Sequence, residues 1–267
     1  MKYDFFGNPI LPFIEKSLIL EKFNSVGERE RKKRLKWIPK TLYTKKFLLE
    51  CFFKKSFPSK NLAVVGHLHH GKSSLINCLA SSVHLINDKI LFKDFSDFFF
   101  LEKQKDHTFF LSITTLLLCN DRGKSNLFTF LDTPGHPDFF EHTINAINIS
   151  DGIILVVDVV DGILMGTEMV FRQAMLEGSK AIIVINAIDR LILEFCFKPI
   201  QVYKKIVKIL DEINSVLVDS LGEINNLQEI FFFNPVKNNV IFSSCLQKWS
   251  FSLDQYSEIY LSSQPSI

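Results

Sequence analysis

The run Asn61-Leu62-Ala63-Val64-Val65 passes straight into Gly66-His67-Leu68-His69-His70-Gly71-Lys72-Ser73, and few local patterns restrict an architecture more. An apolar stretch, then Gly-x4-Gly-Lys-Ser, then the apolar Leu75, Ile76 and Leu79 predicts a strand, a loop folded around an anion, and a helix starting near Gly71. Gly66 and Gly71 allow the backbone turns that aim successive N–H groups inward. Lys72 brings a cation to the terminal phosphates, Ser73 a hydroxyl suited to magnesium, and the helix start a partial positive charge. His69, His70 and Ser74 flank these groups and complete the loop. A plain glycine-containing turn between strand and helix is the alternative reading of the octet.

A second strand, Leu127 to Leu131, leads into Asp132-Thr133-Pro134-Gly135-His136. An acid there suits magnesium, and the N–H of Gly135 suits a γ-phosphate. By itself Asp-x-Pro-Gly is also an ordinary turn. A third strand, Ala181 to Ile185, ends in Asn186-Ala187-Ile188-Asp189. Asp189 can accept two parallel hydrogen bonds from the N1–H and amino group of guanine, whereas adenine would leave the acid unpaired. Asn and Asp at a strand end also bond local backbone. A late strand, Asn239 to Phe242, is followed by Ser243-Ser244-Cys245, a candidate backbone clamp for the guanine carbonyl.

The expected fold is α/β: a three-layer P-loop nucleoside-triphosphatase domain with a mostly parallel six-stranded sheet and helices on both faces. Strands are expected at 61–66, 109–118, 127–132, 152–158, 181–186 and 239–243. A polar turn, Asp121 to Asn126, joins the second and third. One helix is expected near 167–177 with Thr167 as its cap and Gly178 as its stop. Another follows Pro199, with Ile206, Leu210, Ile213 and Leu217 as its core face. With 267 residues, 47% of them hydrophobic, the chain can bury one full core and carry an arm. The organisation expected is a basic extension over 1–60, the nucleotide domain over 61–262, and a tail over 263–267.

Charge is uneven. Residues 29–60 hold twelve Lys or Arg against Glu30 and Glu50, a local excess of +10 in a chain whose net charge is +2. Such an arm fits contact with nucleic acid, a nuclear-import signal around Arg31 to Lys36, or a solvated basic helix. Trp37 and Tyr43 suit base stacking or packing equally. Five cysteines, an odd number without CxxC spacing, indicate neither a disulfide framework nor a zinc site, and a reducing compartment is expected. No apolar stretch reaches membrane-spanning length, so no membrane partner is expected. The phenylalanine-heavy tract Ile90 to Leu101 carries no chemistry.

Taken together, these residues resemble translation-factor GTPases of the elongation factor 2 class, most closely their spliceosomal branch in the U-five small nuclear ribonucleoprotein. The likeness rests on Gly66-His67-Leu68-His69-His70-Gly71-Lys72, on Asp132-Thr133-Pro134-Gly135-His136, on Ile185-Asn186-Ala187-Ile188-Asp189-Arg190-Leu191-Ile192-Leu193-Glu194, and on Asn238 to Ser244. It implies GTP or GDP as ligand, with guanine read by Asn186 and Asp189, and magnesium held by Ser73, Thr108 and Asp132. It also implies Lys72, Thr108 and His136 as the catalytic set, Thr108 closing over the γ-phosphate and His136 orienting water. Spliceosomal scaffold proteins, small nuclear RNA and a nuclear location follow from the resemblance alone. A ribosomal translocation factor and a non-hydrolysing structural module are the alternatives.

Three departures from the family pattern stand out. Ala187 replaces a lysine whose stem lies across the base, which is expected to weaken binding by about 1–2 kcal/mol. Lys105-Asp106 stands where Arg-Gly is usual before Thr108, and aspartate does not adopt positive φ as glycine does. The family continues into further domains beyond the span matched here.

Overall fold

The computed structural model describes residues 2–3, 9–10, 50, 58–83, 108–119, 125–221 and 232–263. The chain forms two compact units, Met1–Leu42 and Tyr43–Ile267. In the first, β1 (Lys2–Tyr3) pairs antiparallel with β2 (Pro9–Ile10). Most of the basic run, the phenylalanine tract, Lys105-Asp106 and the centre of the 121–126 turn lie outside the described residues.

The second unit is built on β3 (Ser59–Val65), β4 (Ser112–Cys119), β5 (Ser125–Asp132), β6 (Gly152–Asp158), β7 (Lys180–Asn186), β8 (Val240–Ser244) and β9 (Trp249–Phe251). They form one sheet in the order β4-β5-β3-β6-β7-β8-β9. The inner five run parallel, while β4 and β9 run antiparallel at the two edges. Six of these strands lie where the sequence places them, within three residues. β9 is the addition: three residues are too short for a periodic signal, and the strand forms because Ser243 and Ser244 find partners in Ser250 and Trp249.

Side-chain alternation divides the core in two. Ala63 and Val65 face one side with Leu155, Val157, Ile183 and Ile185. That side is covered by α2 (Phe140–Ile149), α3 (Met165–Leu176), α4 (Ile188–Leu193) and α5 (Pro199–Leu221). Val64, Ile154, Val156 and Val184 face the other side, against Leu75, Ile76 and Ala80 of α1 (Lys72–Val83). Helices therefore lie on both faces, as expected, and β6 is buried at every position. In α5, Leu210, Ile213 and Leu217 are buried and Ile206 packs beside them. α6 (Leu253–Ser263) follows β9.

The start of α3 differs from expectation. Leu164 occupies the cap position without a side-chain hydrogen bond, and Thr167 lies buried within the first turn. Glu168 N–H already donates to the Leu164 carbonyl at 3.0 Å, so the helix begins two residues early and draws Thr167 into the core. Its end conforms: Gly178 sits at φ +70°, its N–H reaches Met175 O at 3.0 Å and Ser179 N–H reaches Ala174 O at 3.0 Å. That is the Schellman arrangement. A Cβ on Gly178 meets nothing within 4 Å, so Gly178→Ala isolates backbone strain. It is expected to cost about 1 kcal/mol, read as a small drop in melting temperature with an unchanged denaturant m-value.

Candidate functional site

The parallel strands deliver their chemistry to one edge of the sheet, their C-terminal ends. Gly66 follows β3, Asp132 ends β5, Asp158 ends β6, Asn186 ends β7, and Ser243 and Ser244 end β8. Because β4 is antiparallel, its first residue Ser112 pairs with Asp132, which brings the preceding Thr108 segment to the same edge. Crevices beyond the carboxyl ends of parallel strands are where such sheets hold ligands.

The loop from Gly66 to Gly71 is possible only with glycine at its ends. Gly66 has φ +151°, and a Cβ there would run into the Val156 carbonyl; Gly71 has φ +90°, and a Cβ there would strike the Asn186 amide. His69 takes φ +62° at the exposed outer bend. Lys72 is 6% exposed, and its ammonium donates to the His67 carbonyl at 2.8 Å. Burial pushes its pKa down to about 8, opposed by the charge of Asp132. Gly135 lies directly against this loop: a Cβ would collide with the Lys72 ammonium, with Leu68 N at 2.7 Å and with His67 C at 2.9 Å.

The hydroxyls of Ser73 and Thr108 meet at 3.2 Å although 35 residues separate them. Asp132 is 1% exposed and ends β5 opposite Ser112. Ser74 stands exposed on the first turn of α1. His136 is half-buried, and its Nδ1 accepts from Asp138 N–H at 3.3 Å, capping the turn Pro137–Phe139. That bond places the proton of the neutral ring on Nε2.

On the opposite side of the loop, Asn186 makes three ties. Its Nδ2 donates to His70 O at 3.0 Å, and its Oδ1 accepts from Ser243 Oγ at 3.2 Å and from Cys245 N–H at 3.1 Å. Ser244 Oγ accepts from Gln247 N–H at 3.2 Å. Asp189 is 7% exposed, and its Oδ1 has no hydrogen-bond partner among the described residues. Its charge helps push the Cys245 thiol up, after the larger effects of the bond with Cys78 and burial. Cys78 Sγ in turn donates to Cys245 O at 3.0 Å, pinning α1 to this loop. A buried carboxylate oxygen of this kind is chemically suited to accept from an N–H. An open groove of about 310 Å³ beside Asp211, Asn214 and Phe232 shares no residue with these motifs.

The Elongation factor Tu GTP binding domain family matches residues 58–262. The chain belongs to that family. Among relatives of the family, it is 32% identical to "Pre-mRNA-splicing factor cwf10" of Schizosaccharomyces pombe, over 84% of this chain and 22% of that protein. It is also 32% identical to "Elongation factor 2" of Desulfurococcus amylolyticus, over 73% of this chain and 26% of that protein. The chain thus spans about a quarter of the length of these relatives. A crystal structure of the bacterial selenocysteine-specific elongation factor EF-Sec is 22% identical, with a TM-score of 0.48, over 78% of this chain and 28% of that one.

Several positions escaped the motif reading. Thr133 is wholly buried and donates to Val64 O at 2.8 Å, lashing the Asp132–Gly135 segment to β3. Arg190 pairs with buried Asp158 at 3.0 Å. The His70 ring is fully buried, with Nδ1 donating to Val156 O at 3.3 Å. No signal in the octet distinguishes a loop histidine that faces ligand from one that faces the sheet.

Burial pushes the His70 pKa down to about 4. The folded ring stays neutral while the unfolded ring takes a proton near pH 6.5, so stability is intact above that value and falls as pH drops toward 4. The loss is about 3 kcal/mol from this group. His70→Gln, which keeps a donor for Val156 O, is expected to flatten the acid limb in unfolding titrations between pH 6.5 and 4.

Proposed function

We propose that this chain binds guanine nucleotide at the C-terminal edge of its sheet and hydrolyses GTP slowly, as a nucleotide-controlled switch module. The observation that carries this reading is the Asn186 carboxamide. It holds the His70–Gly71 backbone of the phosphate loop on one side and the Ser243–Cys245 loop beside Asp189 on the other. The group suited to phosphate and the group suited to guanine are thereby fixed to one another, as a single ligand requires.

In this reading the N–H groups after Gly66 and Gly71 cradle the phosphates, and the Lys72 ammonium exchanges its bond with His67 O for phosphate oxygens. Asp189 takes the guanine N1–H and amino group, with Ser243, Ser244 and Cys245 beside the base carbonyl. His69, on the outer bend, and Ser74, on the first turn of α1, line the phosphate approach. Ser73, Thr108 and Asp132 fit a magnesium ion: two hydroxyls already 3.2 Å apart and a buried carboxylate are hard oxygen donors. A magnesium ion held by them would supply positive charge to offset that of the phosphates. Gly135 N–H supports the γ-phosphate. His136, its Nδ1 occupied by Asp138, keeps Nε2 to orient the water whose oxygen bonds to the γ-phosphorus, while GDP and inorganic phosphate depart.

A splicing context is supported by the longer match to "Pre-mRNA-splicing factor cwf10" than to "Elongation factor 2", and by Leu68, His69 and Thr133 in the motifs. Partners in that context would be spliceosomal scaffold proteins and small nuclear RNA, in the nucleus. The domain organisation proposed is a basic extension over 1–60, the nucleotide domain over 61–262 and a short tail. A non-hydrolysing module is the second reading, favoured by Ala187, which sits at φ +61° and offers no stem to cover the base.

Titration with fluorescent GDP and competition by ATP tests the base step. GDP is expected to bind and ATP to compete poorly, with Asp189→Ala lowering GDP affinity about a hundredfold while leaving weak ATP binding unchanged. Equal competition by ATP would end the guanine reading. Single-turnover hydrolysis separates the two remaining readings: the intact chain is expected to turn over GTP above background and His136→Ala to fall by about a hundredfold or more. No rate above background in the intact chain selects the non-hydrolysing module.

A further inference from the structure

We propose that Arg190 is a positioning residue for guanine recognition, its guanidinium fixing the angle at which the neighbouring Asp189 meets the base. The inference rests on the guanine reading above. Asp189 lies in the first turn of α4, a helix of six residues. So short a helix has little stability of its own. Its cap residue Ala187 adopts the left-handed conformation and makes no side-chain cap hydrogen bond, so the turn that carries Asp189 lacks the usual local anchor.

Ile188 and Leu191 bury themselves in the core and set the depth of α4. Apolar burial has no direction, and rotation about the helix axis needs a directional bond. Arg190 supplies one. Its Nη1 donates to Asp158 Oδ2 at 3.0 Å and its Nε donates to Glu194 Oε2 at 3.2 Å, one turn along α4. Asp158 is itself fixed: it ends the wholly buried strand β6, is 4% exposed, and its other oxygen accepts Val160 N–H at 2.6 Å. β6 pairs with β3, the strand that launches the phosphate loop. The planar fork of Arg190 therefore references the base-reading turn to the same strand pair that carries the phosphate-reading loop.

A purely structural ion pair and a positioning one differ in what their loss changes. Losing the first lowers melting temperature and weakens all nucleotides together. Losing the second also erodes discrimination, because Asp189 no longer meets the 2-amino group of guanine squarely. Inosine diphosphate lacks that amino group, so the ratio of GDP to inosine diphosphate affinity reads the angle of Asp189 directly.

The test measures both affinities in the full chain and in Arg190→Lys, which retains the positive charge beside Asp158 but not the two-armed geometry. Arg190→Lys is expected to lower the GDP preference about tenfold while pyrophosphate competes as before. Arg190→Gln is expected to do the same or more. Should it fail to fold because Asp158 is left buried without its cation, Asp158→Asn combined with Arg190→Gln removes both charges and serves in its place. An unchanged ratio in folded Arg190→Lys or in the double variant overturns the proposal. If the unaltered chain shows no preference for GDP over ADP, the guanine reading fails first and takes this inference with it.

Discussion

One carboxamide holds the site together. Asn186 is 5% exposed and spends both ends of its amide on backbone and side chain from loops 57 to 116 residues away. Buried polar groups stabilise a fold only when their hydrogen bonds are met, and here each bond met also sets a distance between loops. Gly71 has no side chain because the Asn186 amide occupies the place where one would begin. The phosphate loop, the β7 end and the β8–β9 turn are consequently one rigid piece, although no two of them adjoin in sequence.

Around that piece the structure tolerates electrostatic cost. A lysine ammonium with 6% exposure and a fully buried imidazole both lie within three residues in the same loop. Burial drives both toward neutrality, His70 to about 4 and Lys72 to about 8. The two outcomes differ in kind at neutral pH. His70 is uncharged and serves packing, whereas Lys72 remains mostly protonated, its charge compensated by a carbonyl and by Asp132. Among the described residues that carbonyl is the direct partner of the buried ammonium, and burying a charge so sparsely compensated is costly to the fold.

Much of this architecture is legible in the residues because its signals are local. The strand-loop-helix at 59–83 follows from glycine placement, and the apolar spacing of Leu210, Ile213 and Leu217 marks the face that α5 buries. What stayed hidden depends on pairing across the chain. β9 exists through the partners it finds in β8, not through three residues of its own pattern. Thr167 has the composition of a cap and is drawn into the core because Leu164 begins the helix earlier. Within the candidate site, residue type singles out Lys72 and Asp189, but nothing in the sequence marks Thr133 as a tether to β3 or pairs Arg190 with Asp158. Those roles arise only once the strand order places β3 and β6 side by side.

The position of β4 has a further consequence. The Asn186 and Ser243 loops leave strands β7 and β8, each flanked on both sides, whereas Thr108 precedes a strand that, among the described residues, is laddered to β5 alone. A margin strand is held by half as many backbone bonds as an interior one. The sheet is thus lopsided in its resistance to deformation: the half that carries Asn186 and Ser243 is stiff, and the border that Thr108 adjoins is softer.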